Sequence, residues 1–240
     1  MTTVSSLKVK LFADGADLAT MCQMAAKPHI KGLTTNPTLM RVAGVEDYRT
    51  FSHAVLAEIK DKPISFEVFS DDFDEMAAQA LEIASWGENV FVKIPVTNTR
   101  GESAAPLISR LAEQNVRLNV TALMTLEQVR EVTGALRPGV PSFVSVFAGR
   151  IADTGRDPVP LMAEAVSIVN ALPQSELIWA SPRELLNVFQ ADEIGCHVIT
   201  ATSDILKKLD LVGKDLSEYS LDTVKMFYND ALAAGFSLKV

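Results

Sequence analysis

Asn89-Val-Phe-Val-Lys-Ile-Pro-Val-Thr97 sets one lysine, Lys93, in the middle of an otherwise apolar run. The run is short, β-branched and stopped by Pro95, which is the pattern of a buried strand end. An ammonium taken out of water there costs several kcal/mol unless it is paired, so burial favours the neutral amine. A neutral amine is a nucleophile that attacks carbonyls to form a Schiff base, an electron sink for making or breaking a carbon-carbon bond. A lysine stem can equally snorkel past the strand end into solvent. The two readings are separated by the rest of the chain.

Outward from this stretch, short apolar runs alternate with longer amphipathic ones. Strands are expected at 7–13, 31–35, 63–69, 89–97, 117–122, 142–147, 176–180 and 196–201. Helices are expected between and after them at 16–26, 45–60, 71–86, 103–114, 125–136, 158–172, 183–191 and 204–209. Ser70, Asp71, Asp72 and Asp74 suit a helix N-terminus, Thr125 and Gln128 have the spacing of a capping box, and Asp204 looks like a helix cap. Eight strands alternating with eight helices give the count of a closed parallel barrel, a single α/β domain of (β/α)8 (TIM barrel) type over 1–240. The rival, a doubly wound open sheet, usually carries a glycine-rich phosphate loop after its first strand, and Asp14-Gly15-Ala16-Asp17 is not one. An additional C-terminal helix, 217–234, lies outside the barrel count. Its apolar face of Leu221, Val224, Phe227, Tyr228 and Ala231 needs a surface to bury against, on this barrel or on a neighbouring subunit.

The 240 residues are 48% hydrophobic and carry a net charge of −8 with no block of like charge. This balance argues against nucleic acid and anionic membranes as partners, so an anionic substrate would be met by a few placed arginines. Cys22 and Cys196 have no metal-ligand spacing and read as reduced, buried thiols. No stretch reaches the roughly 20 apolar residues of a membrane span, and the first residues lack a signal peptide's pattern, so a cytoplasmic protein is expected.

In a barrel, reactive groups project from the C-terminal ends of strands. Those ends are polar here: Asp14, then Thr34, Thr35 and Asn36, Glu67, Lys93, Asn119 with Thr121, Ser145 with Arg150 beyond, Ser181 with Arg183, and Thr200 with Thr202. Singly, each has a bland reading: Asp14 an Asx-turn or cap, Asn36-Pro37 a turn, Arg150 a surface residue. Glu67, between Phe66 and Val68, is harder to dismiss, because an unpaired buried carboxylate is costly. A shared pocket explains them together. His29, His53 and His197 have no spacing of a metal site or nucleophile-base pair.

Four motifs, Lys31-Gly-Leu-Thr-Thr-Asn-Pro-Thr, Val92-Lys-Ile-Pro-Val-Thr97, Leu118-Asn-Val-Thr-Ala-Leu123 and Ser145-Val-Phe-Ala-Gly-Arg-Ile151, resemble those of the transaldolase family, in particular its short, fructose 6-phosphate aldolase-like subfamily. The resemblance implies an enzyme with Lys93 as the Schiff-base lysine and Asp14 as the group that takes and returns the proton of the substrate C4 hydroxyl. It implies Glu67 and Thr121 as holders of a catalytic water. Asn36, Asn119 and Ser145, with Thr35 and Phe147 beside them, would bind the dihydroxyacetone part of a sugar phosphate. Arg150 would bind phosphate, with Ser181 and Arg183 as candidates for the rest of that site. It implies no metal or cofactor, and a homo-oligomer, pentamer or decamer, with the final helix on a neighbour. Glu67 and Phe147 stand where the aldolase type has glutamine and tyrosine, so transfer in sugar metabolism such as the pentose phosphate pathway is favoured over cleavage releasing free dihydroxyacetone. Pro182-Arg183 follows Ser181 at once, so Arg183 aligns either with the phosphate position or with a helix-start arginine.

Overall fold

The computed structural model describes residues 3–238. Eight parallel strands close into a barrel in sequence order: β1 (Lys10–Asp14), β2 (Ile30–Thr34), β3 (Ile64–Glu67), β4 (Val90–Pro95), β5 (Leu118–Leu123), β6 (Ser142–Val146), β7 (Ser175–Trp179) and β8 (Val198–Thr202). The helices are α1 (Leu18–Ala25), α2 (Pro37–Val42), α3 (Tyr48–Glu58), α4 (Phe73–Ala84), α5 (Ala105–Glu113), α6 (Leu126–Ala135), α7 (Ala148–Asp153), α8 (Val159–Val169), α9 (Leu186–Glu193), α10 (Ser203–Leu206) and α11 (Leu216–Ala233). The expected barrel and C-terminal helix are both present. Two short helices, α2 and α7, were not expected; Asn36-Pro37, read as a turn, starts α2, with the Asn36 side chain accepting from Leu39 N at 2.9 Å and Pro37 in the first turn. The expected caps at Asp72 and at Thr125 with Gln128 form, whereas Thr202 rather than Asp204 holds the cap position of α10.

Strand periodicity divides the strands between an outward and an inward face, and both faces carry apolar cores. Outward residues such as Val92, Ile94, Leu118, Val120, Val144 and Val146 meet the helices in one continuous cluster. Helix α5 contributes Leu107, Ile108, Leu111 and Ala112, all buried, and full burial of a leucine or isoleucine contributes about 1.5–3 kcal/mol. Inward residues Phe12, Phe91, Phe143, Ile178 and Val198 form a separate core that fills the barrel axis. Phe143 packs edge-on against Phe12 with centroids 5.5 Å apart, and against Phe91 at 4.4 Å. Gly32 makes room for this plug, since a Cβ there would run into the Phe12 ring.

Helix α11 is the exception to burial. None of its residues is buried, and Leu221, Val224, Phe227 and Tyr228 are 52–65% exposed. Its apolar face therefore finds no surface on its own barrel. Among the described residues no helix is long and apolar enough to cross a membrane. Both cysteines are free thiols, Cys196 buried and Cys22 half-buried rather than buried as expected.

Candidate active site

The inward parity that places Phe91 in the plug places Lys93 one layer above it. The same rule stacks Asp14 above Phe12, Ser145 and Phe147 above Phe143, and Thr200 above Val198. The aromatic plug is thus the floor of a cavity of about 400 Å³ at the C-terminal end of the strands. The register pairs Asp14 with Thr34, Glu67 with Lys93, Lys93 with Asn119 and Pro95 with Thr121, so the polar groups share adjacent levels of one ring.

Lys93 is 6% exposed and is the cation at the base of this cavity. Its Nζ lies 3.1 Å from Glu67 Oε2 and donates to the Thr35 carbonyl oxygen at 2.8 Å. The amine expected to be neutral for lack of a partner therefore has an anionic one in the free protein, and capture of a carbonyl must exchange this pair for the new bond. Glu67 is itself fixed through its backbone, whose carbonyl accepts from Tyr48 Oη at 2.8 Å.

Beside this pair, Asn119 and Ser145 form a fixed polar wall. Ser145 Oγ donates to Asn119 Oδ1 at 2.7 Å, and Asn119 Nδ2 donates to Ser65 Oγ at 2.9 Å. Both side chains are therefore locked before any ligand arrives. Thr121 is 2% exposed and its hydroxyl has no hydrogen-bond partner, a cost the fold bears at a point that faces the cavity. Thr121 faces inward by the same alternation as Asn119, and the strand breaks register with β6 between Val120 and Leu123, with Ala122 at φ 67°.

Opposite stands Asp14. Its Oδ1 accepts from Thr34 Oγ1 at 2.8 Å, and its Oδ2 lies 3.4 Å from Asn36 Nδ2. Desolvation raises its pKa above the ordinary carboxylate value, partly opposed by the Lys93 charge and the Thr34 hydrogen bond and reinforced by Glu67. A carboxylate so placed is a stronger base than one in water.

At the mouth, Arg150 is exposed, lines the cavity and lies 5.9 Å from the Phe147 ring centre. Ser181, in the left-handed region at φ 60°, lines the cavity next to it. Gly149 permits this approach: a Cβ there would overlap the Ser181 carbonyl oxygen.

Ten of the twelve residues expected at the site line this one cavity, and Thr35 and Arg183 do not. Thr35 has outward parity, is 0% exposed, and gives its hydroxyl to Ser65 O at 2.9 Å. Arg183 is held by Asp153 through Nε at 2.9 Å and Nη2 at 2.5 Å, and by Ser181 Oγ at 2.9 Å. The Asp153 carboxylate raises the guanidinium's hold on its proton, while the arginine lowers that of the acid. The lining also includes Thr34 and Thr200, read from the sequence as polar strand ends but given no role, and Pro37, Thr38 and Leu39, which were not singled out as site residues. Inward parity, Gly32 then Thr34 and Val198 then Thr200, was the signal that marks the first two.

Comparison with known proteins gives the family. Residues 11–238 match the family described as Transaldolase/Fructose-6-phosphate aldolase. A protein of Dehalococcoides mccartyi named "Probable transaldolase" is 33% identical over 202 residues, covering 84% of this chain and 90% of its own. One of the same name from Streptococcus agalactiae is 34% identical over 195 residues, covering 80% and 85%. Another, from a Thermoanaerobacter species, is 32% identical over 220 residues, covering 90% and 95%. With the match running from β1 through the C-terminal helix, the chain belongs to the transaldolase/fructose-6-phosphate aldolase family.

Proposed function

We propose that this protein is a Schiff-base transaldolase that moves a dihydroxyacetone unit from a ketose phosphate, such as fructose 6-phosphate or sedoheptulose 7-phosphate, to an aldose phosphate. The observation that carries the reading is the buried Lys93 amine in the cavity floor, 3.1 Å from Glu67, with Asp14 lining the same cavity. Lys93 gives its ammonium proton to the neighbouring Glu67 carboxylate, and the neutral amine attacks the ketose C2 carbonyl. A water held between Glu67 and the unpartnered Thr121 hydroxyl carries protons so that the carbinolamine loses water and becomes an iminium. Asp14 takes the C4 hydroxyl proton, the C3–C4 bond breaks, and its electrons pass into the iminium, leaving an enamine on Lys93 and a free aldose phosphate. The acceptor aldehyde then enters. The enamine C3 attacks its carbonyl carbon, Asp14 returns the proton to the new hydroxyl, and water releases the product ketose.

The other groups bind and orient. Asn119 and Ser145, already locked to each other, meet the hydroxyls of the three-carbon unit, with Asn36 beside Asp14. Arg150 binds the phosphate at the mouth through charge-assisted hydrogen bonds. Arg183, tied to Asp153, serves that subsite by holding Ser181 in place. A second copy of the chain covers the exposed face of α11, giving a homo-oligomer.

Release of free dihydroxyacetone is the alternative chemistry of the same site. Ketose phosphate consumption measured with and without an acceptor aldose phosphate separates the two. Turnover should depend on acceptor, and an equal rate without it would make the protein an aldolase.

A further inference from the structure

One wall of the cavity, where β8, β1 and β2 adjoin, holds two buried hydroxyls to which the reaction just described gives no role. Thr34 is 3% and Thr200 6% exposed. Thr34 Oγ1 donates to Asp14 Oδ1 at 2.8 Å, and Thr200 Oγ1 lies 2.5 Å from Thr34 Oγ1. Each hydroxyl has one proton, and an ionised carboxylate only accepts. Thr34 therefore spends its proton on Asp14, and the proton between the two threonines belongs to Thr200. The hydrogen bonds run one way, Thr200 to Thr34 to Asp14, and each polarises the next.

The barrel register builds this relay. Thr34 stands opposite Asp14 on β2, and Thr200 stands opposite Phe12 on β8, one inward position below Asp14. On the other oxygen, the 3.4 Å approach of Asn36 Nδ2 is too long for a strong hydrogen bond. Oδ1 is thus held and Oδ2 is open to the cavity. The charged groups acting on the carboxylate are Lys93 from β4, which favours its ionised form, and Glu67 from β3, which opposes it; the Thr34 hydrogen bond, a neutral contribution, acts less strongly than Lys93 and more strongly than Glu67.

We propose that Thr200 and Thr34 are positioning residues for Asp14: they clamp Oδ1, leave Oδ2 as the oxygen that takes and returns the C4 hydroxyl proton, and set the pH range in which the carboxylate is ionised. The inference rests on the proposed function, because it gives Asp14 that proton. The balance is simple. As the C4 hydroxyl proton moves to Oδ2, the C3–C4 bonding pair moves into the iminium on Lys93. Oδ1 becomes the carbonyl oxygen of the neutral acid and still accepts from Thr34, so no relay proton turns over in either direction.

A hydrogen bond to the charged form of an acid favours that form, so loss of the relay moves ionisation of Asp14 to higher pH. The test is the pH profile of aldose-dependent transfer in Thr34→Val, Thr200→Val and the serine replacements of each, with borohydride trapping of the donor ketose on Lys93 measured alongside. Thr34→Val should lose about tenfold in rate on the acid side, and Thr200→Val about threefold. Both should shift the acid limb to higher pH, both serine variants should restore it, and trapping should persist in all four. Thr200→Ala, which adds no bulk, is read in the same way should the valine disturb folding. A wild-type profile in Thr200→Val and Thr200→Ala, or a rate loss with the limb unmoved, would overturn the relay while trapping leaves the Schiff base standing. Absence of trapping in the unaltered protein would instead overturn the functional reading and the relay with it.

Discussion

Asp14 is the residue whose environment makes the sharpest claim. Burial raises its pKa, so the folded protein holds that proton more tightly than the unfolded chain does. The stability this contributes is complete below the unfolded value of about 3.9 and is lost as pH rises through the higher folded value. At neutral pH the ionised carboxylate is therefore a cost. Asp14→Asn should melt higher than the unaltered protein near neutrality, with the difference vanishing toward about pH 4, by calorimetry across pH. The same variant should lose about 10²- to 10⁴-fold in transfer, the usual contribution of a positioned general base. A destabilised Asn variant at neutral pH would contradict the burial argument. The sequence made Glu67 and Lys93 legible because charged groups in apolar runs are costly without a purpose, whereas Asp14, at a strand end, read equally as a turn or cap and was marked by the family resemblance. It was less clear at Thr34-Thr35, where two identical residues differ only in parity, and the pattern of the motif gave no preference for the inward one.

Elements supply the next level. The eight strands were visible as apolar runs because each is covered on both faces, and helix positions followed from their apolar spacing. Helices α2 and α7, six residues each, escaped because so short an element cannot display a period. Yet α7 carries Arg150, and its approach to the end of β7 depends on one missing side chain. Gly149→Ala must push the Ser181 carbonyl oxygen away, displacing either α7 or the β7 end. Ser181 and Arg150 then separate. The predicted outcome is a rise of at least about tenfold in KM for a phosphorylated ketose, the scale of one lost charged contact, with much less change for an unphosphorylated one. Equal effects on both would show that the glycine serves packing and not the phosphate end. Ser181 and Arg183 also mark where sequence stopped short: two alignments of Pro182-Arg183 were open, and the bidentate contact with Asp153, 30 residues away, was not readable from either.

For the whole molecule, the closed ring of strands and the uncovered final helix make separate claims. Helix α11 leaves Leu221, Val224, Phe227 and Tyr228 exposed, the apolar face that the proposed association would cover. Sedimentation of the full chain should give an oligomer, and a chain ending at Asp215 should give a smaller species; unchanged assembly would place the interface elsewhere. The sequence announced the apolar face but not its partner, because amphipathicity says that a surface is needed and not whose. The ring makes the central claim, since alternate residues of its strands converge on one amine. Its direct measurement is borohydride reduction in the presence of fructose 6-phosphate, followed by peptide mass analysis. The account predicts a single adduct, the mass of a reduced dihydroxyacetone unit or of the donor ketose, on Lys93, abolished by Lys93→Met. An adduct on another lysine, or transfer that survives Lys93→Met undiminished, would contradict it.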